Sequence, residues 1–201
     1  MRPFILCIPI IFFFESCRII AGLHSIKQFN DHEIIKIALK YGIDSNEIYK
    51  INEREYLTFA KSKNDSSITK DLLQPLQVIY FSANNKIEFQ LLNCDVGGFP
   101  VLQWNRYGTF DNFPPSWLSL SPPDSTLNSM KFFEFIVPIN GSSEPSLGGN
   151  GALVVIWNHF FGRNSKQLIE LIIAYRETIP EDIPLYFVNT DNLYALIIKE
   201  E

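Results

Sequence analysis

Cysteine is scarce in this 201-residue chain: Cys7, Cys17 and Cys94 are the only three. An intramolecular disulfide framework needs more partners than that. Histidine is as rare, and His24, His32 and His159 stand at no ligand spacing, with no cysteine cluster beside them, so no metal is expected. Phosphate cradles are missing too. Neither Gly97-Gly98 nor Gly148-Gly149-Asn150-Gly151 carries the strand and helix context of a dinucleotide fingerprint or a P-loop. Cations are not in surplus. The 17 basic residues face 22 acidic ones, a net charge of −5, whereas a nucleic-acid partner needs a basic face. No cofactor and no nucleic acid are therefore expected.

What is present begins at the first residues. Met1-Arg2 is followed by an apolar run over residues 3–14, the cation-then-apolar layout of a secretory signal. That run is 12 residues long, against the roughly 20 that cross a bilayer as a helix. The competing reading, a buried strand or helix, is disfavoured by Pro3 and Pro9. Ser16 directly before Cys17 resembles a bacterial lipoprotein processing site, in which the cysteine is lipidated and becomes the new N-terminus. Phe14 and Glu15 replace the aliphatic and small residues usual at the places before it. The expectation is a signal peptide over 1–16, a lipid anchor on Cys17, and a protein tethered at a bacterial cell envelope, periplasmic or outer-membrane. Its expected partners are the membrane and an envelope protein. Loss of 1–16 removes Arg2 and Glu15 together, so the net charge stays at −5. Cys94 is then the single thiol.

Along the rest of the chain, residues 17–75 read as a helical N-terminal region. Residues 29–51 predict two short helices, the first started by Asn30 with Glu33 and stopped at Gly42, the second started by Asp44 with Glu47. Residues 62–67 are polar and predict a loop. A second region, 76–201, opens with two alternating runs around Asn84-Asn85, at Val78 and Tyr80, then Ile87, Phe89 and Leu91; these predict a β-hairpin. Residues 106–150 are rich in Pro, Gly, Ser and Asn and predict a long connection with a short strand at 132–137. The apolar run Ala152–Trp157 predicts a buried central strand. A helix follows, with Asn164 or Ser165 as its expected cap and Leu168, Ile169, Leu171, Ile172 and Tyr175 as its apolar stripe. Pro180 and Pro184 end it, and residues 185–188 predict the next buried strand. The order is a βαβ unit with a parallel pair. Seventeen Phe, 8 Tyr and 3 Trp supply material for a core.

The stretch Val154-Val155-Ile156-Trp157-Asn158-His159-Phe160-Phe161-Gly162-Arg163-Asn164 resembles the first part of the thioredoxin core, where a strand ends in tryptophan and Cys-Gly-Pro-Cys opens a long helix. Tyr186-Phe187-Val188-Asn189-Thr190-Asp191 resembles that family's next strand and turn. The resemblance covers roughly residues 152–191. It implies an α/β fold on a thioredoxin-like βαβ core, incomplete or rearranged, with the N-terminal helical region and the hairpin added. The redox motif falls on Phe161, Gly162, Arg163 and Asn164, so both cysteines are absent, and disulfide exchange needs an attacking and a resolving thiol. The family's last hairpin does not follow the unit. The hairpin at 78–91 is the candidate to complete the sheet in a changed order.

Four places carry candidate chemistry. Cys94, in Asn93-Cys94-Asp95-Val96-Gly97-Gly98, reads as a reactive thiol or intermolecular disulfide partner, or else as a small buried residue at a strand end; Asp95 beside it raises the thiol pKa. At Phe161-Gly162-Arg163-Asn164 the helix N-terminus, Arg163 and Lys166 offer an anion site, or Asn164 simply caps the helix and Arg163 is solvated. His159 reads as a general base oriented by Asp191, or as a structural ring between aromatics. Trp104, Tyr107, Phe110, Phe113 and Trp117 read as a binding surface, or as a loop packed on the sheet. Two functions follow: an anchored, non-catalytic thioredoxin-like binding or assembly protein, or a single-cysteine thiol oxidoreductase using Cys94.

Overall fold

The computed structural model describes residues 22–115 and 127–200. The signal segment, Cys17 and Trp117 lie outside the described residues. Helix α1 (Asp31–Lys40) starts as its sequence predicts: the Asn30 side chain accepts from the Glu33 N–H, and the Glu33 carboxylate accepts from the Asn30 N–H, both at 3.0 Å. Gly42, at φ +90°, ends it in the left-handed conformation that glycine adopts without strain.

The second predicted helix is corrected. Residues Ser45–Glu47 make one 3-10 turn, and Ile48–Ile51 is strand β1. Asp44 caps nothing; its carboxylate lies 3.1 Å from Arg176, and Glu47 bonds the same guanidinium. Ile48 packs in one core, while Tyr49 and Ile51 pack in the other. A strand buried on both faces is what this short apolar run supports.

Helix α2 (Glu53–Lys61) and helix α3 (Ser66–Leu72) follow. The latter begins inside the predicted loop, because the Asp65 side chain accepts from the Ser67 N–H at 2.8 Å and starts it early. Strands β2 (Gln77–Phe81) and β3 (Ile87–Leu92) form the expected hairpin, with Asn85 at φ +64° in its turn. The strand predicted at 132–137 is corrected in part. Residues Ser129–Phe133 form a short helix, α4, capped by Asn128, and only Ile136–Pro138 remains as β4. Strand β5 (Ala152–Trp157), helix α5 (Gly162–Tyr175) and strand β6 (Leu185–Asn189) build the βαβ unit, and helix α6 (Asp191–Glu200) comes last.

All six strands join one mixed sheet in the order β3-β2-β5-β6-β1-β4. The parallel centre is β5, β6 and β1; β2 and β3 extend it antiparallel beyond β5, and β4 lies antiparallel on β1. The hairpin therefore belongs to the same sheet as the βαβ unit, and so does β1. Side chains of β5 alternate between two cores. Leu153, Val155 and Trp157 meet α1 and α5, while Val154 and Ile156 meet the face covered by α2, α3, α4 and α6.

The connection after β3 is packed, not loose. Leu102, Trp104 and Phe110 are buried in the α1–α5 core, whereas Phe99 and Tyr107 are largely exposed, at 62% and 64%. Burying side chains of this size contributes about 2 kcal/mol each, which anchors the loop and argues against an aromatic binding surface there. Among the described residues no helix is long and apolar enough to cross a membrane.

Candidate functional site

The parallel centre of the sheet ends at Trp157 and Asn189, which face each other in the ladder. Trp157 is fully buried, with its ring edge-on to Tyr41, and its carbonyl accepts the Thr190 N–H at 2.9 Å. The turn that follows, residues 158–162, is held by several side chains as well as by backbone bonds. Buried Asn158 accepts from the Phe161 N–H at 3.0 Å and donates to the Pro75 carbonyl at 2.8 Å. The Asp191 carboxylate accepts from the His159 N–H at 2.7 Å, the Phe160 N–H at 3.3 Å and the Asn189 amide at 2.8 Å. Burial raises the Asp191 pKa above the usual carboxylate value, although these donors pull it back.

His159 and Asp191 thus meet, but through the backbone of His159 and not through its ring. The imidazole Nδ1 lies 3.3 Å from the Tyr41 hydroxyl. Its pKa is lowered to about 4, chiefly by burial and then by His24, Lys27 and Lys40, so the ring is neutral near pH 7. Tyr41 is pushed up to about 12, first by burial and then by the Asp191 charge. Hydroxyls beside the turn have other work: Ser165 donates to the Asn158 carbonyl and Thr190 Oγ1 to the Trp157 carbonyl. Among the described residues, no carboxylate bonds the His159 ring and its hydroxyl neighbour is Tyr41, so the oriented carboxylate that base catalysis needs is not supplied by them.

At residues 161–164 the expected cap is corrected. Phe161 occupies the N-cap position without a side-chain bond, and Gly162 opens α5. Asn164 is buried and reaches out of the helix: its Oδ1 accepts the Leu102 N–H at 2.9 Å and its Nδ2 donates to the Pro100 carbonyl at 3.1 Å. It ties the 97–104 loop to α5. Arg163 is exposed. Two amides at this helix end are already used, Gly162 N–H on the His159 carbonyl and Asn164 N–H on the Phe161 carbonyl.

The head of α5 is also covered by the chain itself. The His24 N–H donates to the Phe160 carbonyl at 2.8 Å, and the His24 ring stacks on His159 at 4.3 Å with 15° between planes. A Cβ on Gly162 would lie 2.2 Å from the Gly22 carbonyl oxygen, at a residue already at φ +38°, so only glycine fits under this segment. Phe29 meets His159 edge-on, and Asn192 bonds both its backbone groups, at 2.8 and 2.9 Å. Sequence reasoning misses His24, Tyr41 and Asn192, since no local spacing links them to this turn.

Cys94 is exposed, which corrects its reading as a buried residue. Its sulfur is 3.7 Å from Asp95 Oδ1, and the thiol pKa is raised, first by burial of its surroundings and then by the carboxylates of Asp95 and Asp71. Such a thiol holds little thiolate near neutral pH. Among the described residues no three His, Cys, Asp or Glu side chains are grouped to hold a metal ion.

No protein-family model, no curated protein and no solved structure matches this chain.

Proposed function

We propose that this chain is a non-catalytic thioredoxin-like protein that acts in binding or assembly, exported and lipid-anchored at the cell envelope. One observation carries the non-catalytic part. Where a dithiol pair would work, Phe161 packs on the core and the Asn164 amide is fully engaged in holding residues 100–102. Disulfide exchange has neither sulfur nor open backbone there. The thioredoxin-like part is supported by the βαβ unit and by the β2–β3 hairpin, which extends the sheet beside β5 from an earlier place in the chain. The anchor reading rests on the sequence at Ser16-Cys17. Gly22 follows Cys17 by five residues, which span at most about 18 Å, so the end of the sheet covered by the strap of residues 22–29 would face the membrane.

The alternative, a thiol oxidoreductase using Cys94, is favoured by the exposure of that residue and opposed by the carboxylates around it. Alkylation of the native full-length protein decides between them. The expected result is that Cys94 reacts at pH 7 more slowly than free cysteine, with no disulfide-reductase turnover. Rapid reaction, with turnover lost in Cys94→Ser, would defeat the scaffold reading. Labelling with a radioactive fatty acid tests the anchor separately: label is expected on the wild type and absent from Cys17→Ala, which should then leave the membrane fraction.

A further inference from the structure

Beyond the head of α5 the strap passes beside α6, where Asn192 bonds both backbone groups of Phe29. Between strap and helix lies a groove lined by Ile26, Lys27, Gln28, Ala195, Ile198 and Lys199. The period of α6 decides what reaches it. Leu193, Leu196 and Ile197 pack on the core beneath, while Ala195 and Ile198, three residues apart, share the stripe beside the strap. Ala195 is buried, but Ile198 is 54% exposed on a helix whose other apolar side chains are all covered at least in part. The groove holds about 210 Å³, below the roughly 300 Å³ at which small-molecule sites begin, so it suits a surface better than a ligand. We propose that the groove and its rim are a membrane footprint: Ile26 and Ile198 enter the interface of an anionic bilayer, and Lys27 and Lys199 meet its lipid phosphates.

The footprint rests on the reading of Cys17 as an anchor. The strap begins at Gly22, at most about 18 Å of chain from that residue, so an anchored molecule brings the strap to the bilayer first. An acyl anchor holds a chain near a membrane without fixing the face it presents; an apolar ridge rimmed by lysines fixes that face.

Charge points to the same side. The whole chain carries −5 and is repelled by an anionic surface, yet Lys27, Lys199 and Arg163, which lies against Gly22, are exposed along the strap. Two carboxylates stand among them. Glu33 is 4.0 Å from Lys27 and offsets part of it, and Glu200 is engaged by Lys61 at 2.6 Å. Phe99 and Val101 are exposed as well, but they follow closely on Asp95, where an anionic bilayer is disfavoured. Each lysine at an anionic surface favours contact roughly fivefold.

Hydrogen exchange followed by mass spectrometry on the full-length protein tests the footprint, without vesicles, with phosphatidylcholine vesicles and with phosphatidylglycerol vesicles. Exchange over residues 26–28 and 195–199 is expected to slow about fivefold on phosphatidylglycerol and less on phosphatidylcholine, with β5 unchanged. Lys27→Gln/Lys199→Gln should abolish the difference between the two lipids, and Ile198→Asp the slowing on both; these side chains are exposed, and β5 protection reports that each variant is folded. Equal exchange with and without vesicles overturns the footprint, as does slowing of wild-type size in both variants. So does slowing that grows with protein concentration in the absence of lipid, which would give the face to a second copy of the chain. Fatty-acid labelling separates the two readings: label without slowing defeats the footprint alone, slowing without label keeps the footprint and drops the anchor, and the absence of both defeats both.

Discussion

Two turns leave the same end of the sheet, the one after β5 and the one after β3, and they are built in opposite ways. In the ladder Leu92 of β3 and Ile156 of β5 lie level, each paired with Gln77. After β5, nearly every polar group has a named partner: Asn158, Asp191, Asn189, Thr190 and Ser165 bond the turn and one another. After β3, Cys94 is exposed and Phe99 is 62% exposed. The turn whose sequence resembles a redox motif carries the denser set of side-chain bonds and no thiol. The turn with the thiol is held by the Asn93 and Asp95 side chains, which accept the Leu76 and Leu92 N–H groups, but the thiol itself is exposed beside a carboxylate. The difference lies in what surrounds each turn: one spends its polar side chains on internal bonds, while the other presents a thiol whose nearest charge disfavours thiolate.

Removing Asp191 should break the comparison most severely. Asp191→Ala deletes the acceptor of two part-buried backbone N–H groups and one buried amide. Buried donors left unpaired cost about 1–3 kcal/mol each, so a loss of about 3 kcal/mol is expected in urea unfolding. Asp191→Asn keeps one acceptor oxygen and should lose less than half of that. A loss under 0.5 kcal/mol for the alanine variant would mean that water reaches the turn freely.

Gly162→Ala comes next. It places a methyl group against the Gly22 carbonyl at a positive φ. The expected cost is about 2 kcal/mol, split between backbone strain and displacement of the strap, and thermal unfolding measures it. The test sharpens the comparison, because Gly97→Ala after β3, also at positive φ but with only the Arg106 guanidinium within 4 Å, should cost less.

The pH effect is smaller and concerns the whole fold. His159 is depressed to about 4 mainly by burial, so the unfolded chain binds its proton first as the pH falls. Above about 6.5 both states are neutral at this ring and stability is unaffected; between about 6.5 and 4 stability declines. Half-exposure keeps the decline near ~1 kcal/mol or below. Urea midpoints across that window should fall more steeply for the wild type than for His159→Gln.

Legibility in the sequence follows distance along the chain. The capping box at Asn30 and Glu33, the Asn85 turn and the all-apolar Ala152–Trp157 strand are short-range patterns, and each is visible locally. Strand β1 is hidden because Asp44 and Glu47 imitate a helix start, while their real partner, Arg176, lies 129 residues beyond Glu47. Asn164 looks like a cap until the loop carbonyl of Pro100 and N–H of Leu102, 62 residues from Asn164, claim its amide. The His24–His159 stack has no local sign at all. Residue type marked His159, Asp191 and Asn164 as notable, and the tertiary contacts show the bonds that hold each of them.

The smallest expected effect falls on Cys94, and it tests the other half of the comparison. Cys94→Ser changes an exposed side chain whose sulfur lies 3.7 Å from Asp95 Oδ1, so stability should move by less than about 0.5 kcal/mol. Reactivity should move more. With the thiol pKa raised by its surroundings and by Asp95 and Asp71, replacing Asp95 with Asn removes the nearest negative charge and should speed alkylation at pH 7 several-fold. The same carboxylate accepts the Leu92 N–H at 3.1 Å, which an asparagine oxygen can still do, so the turn itself should hold. An unchanged rate in Asp95→Asn would mean that burial alone sets the thiol. A rate already faster than that of free cysteine in the wild type would turn the β3 exit into a working nucleophilic site, and the contrast between the two turns would then mark a division of labour instead of a loss.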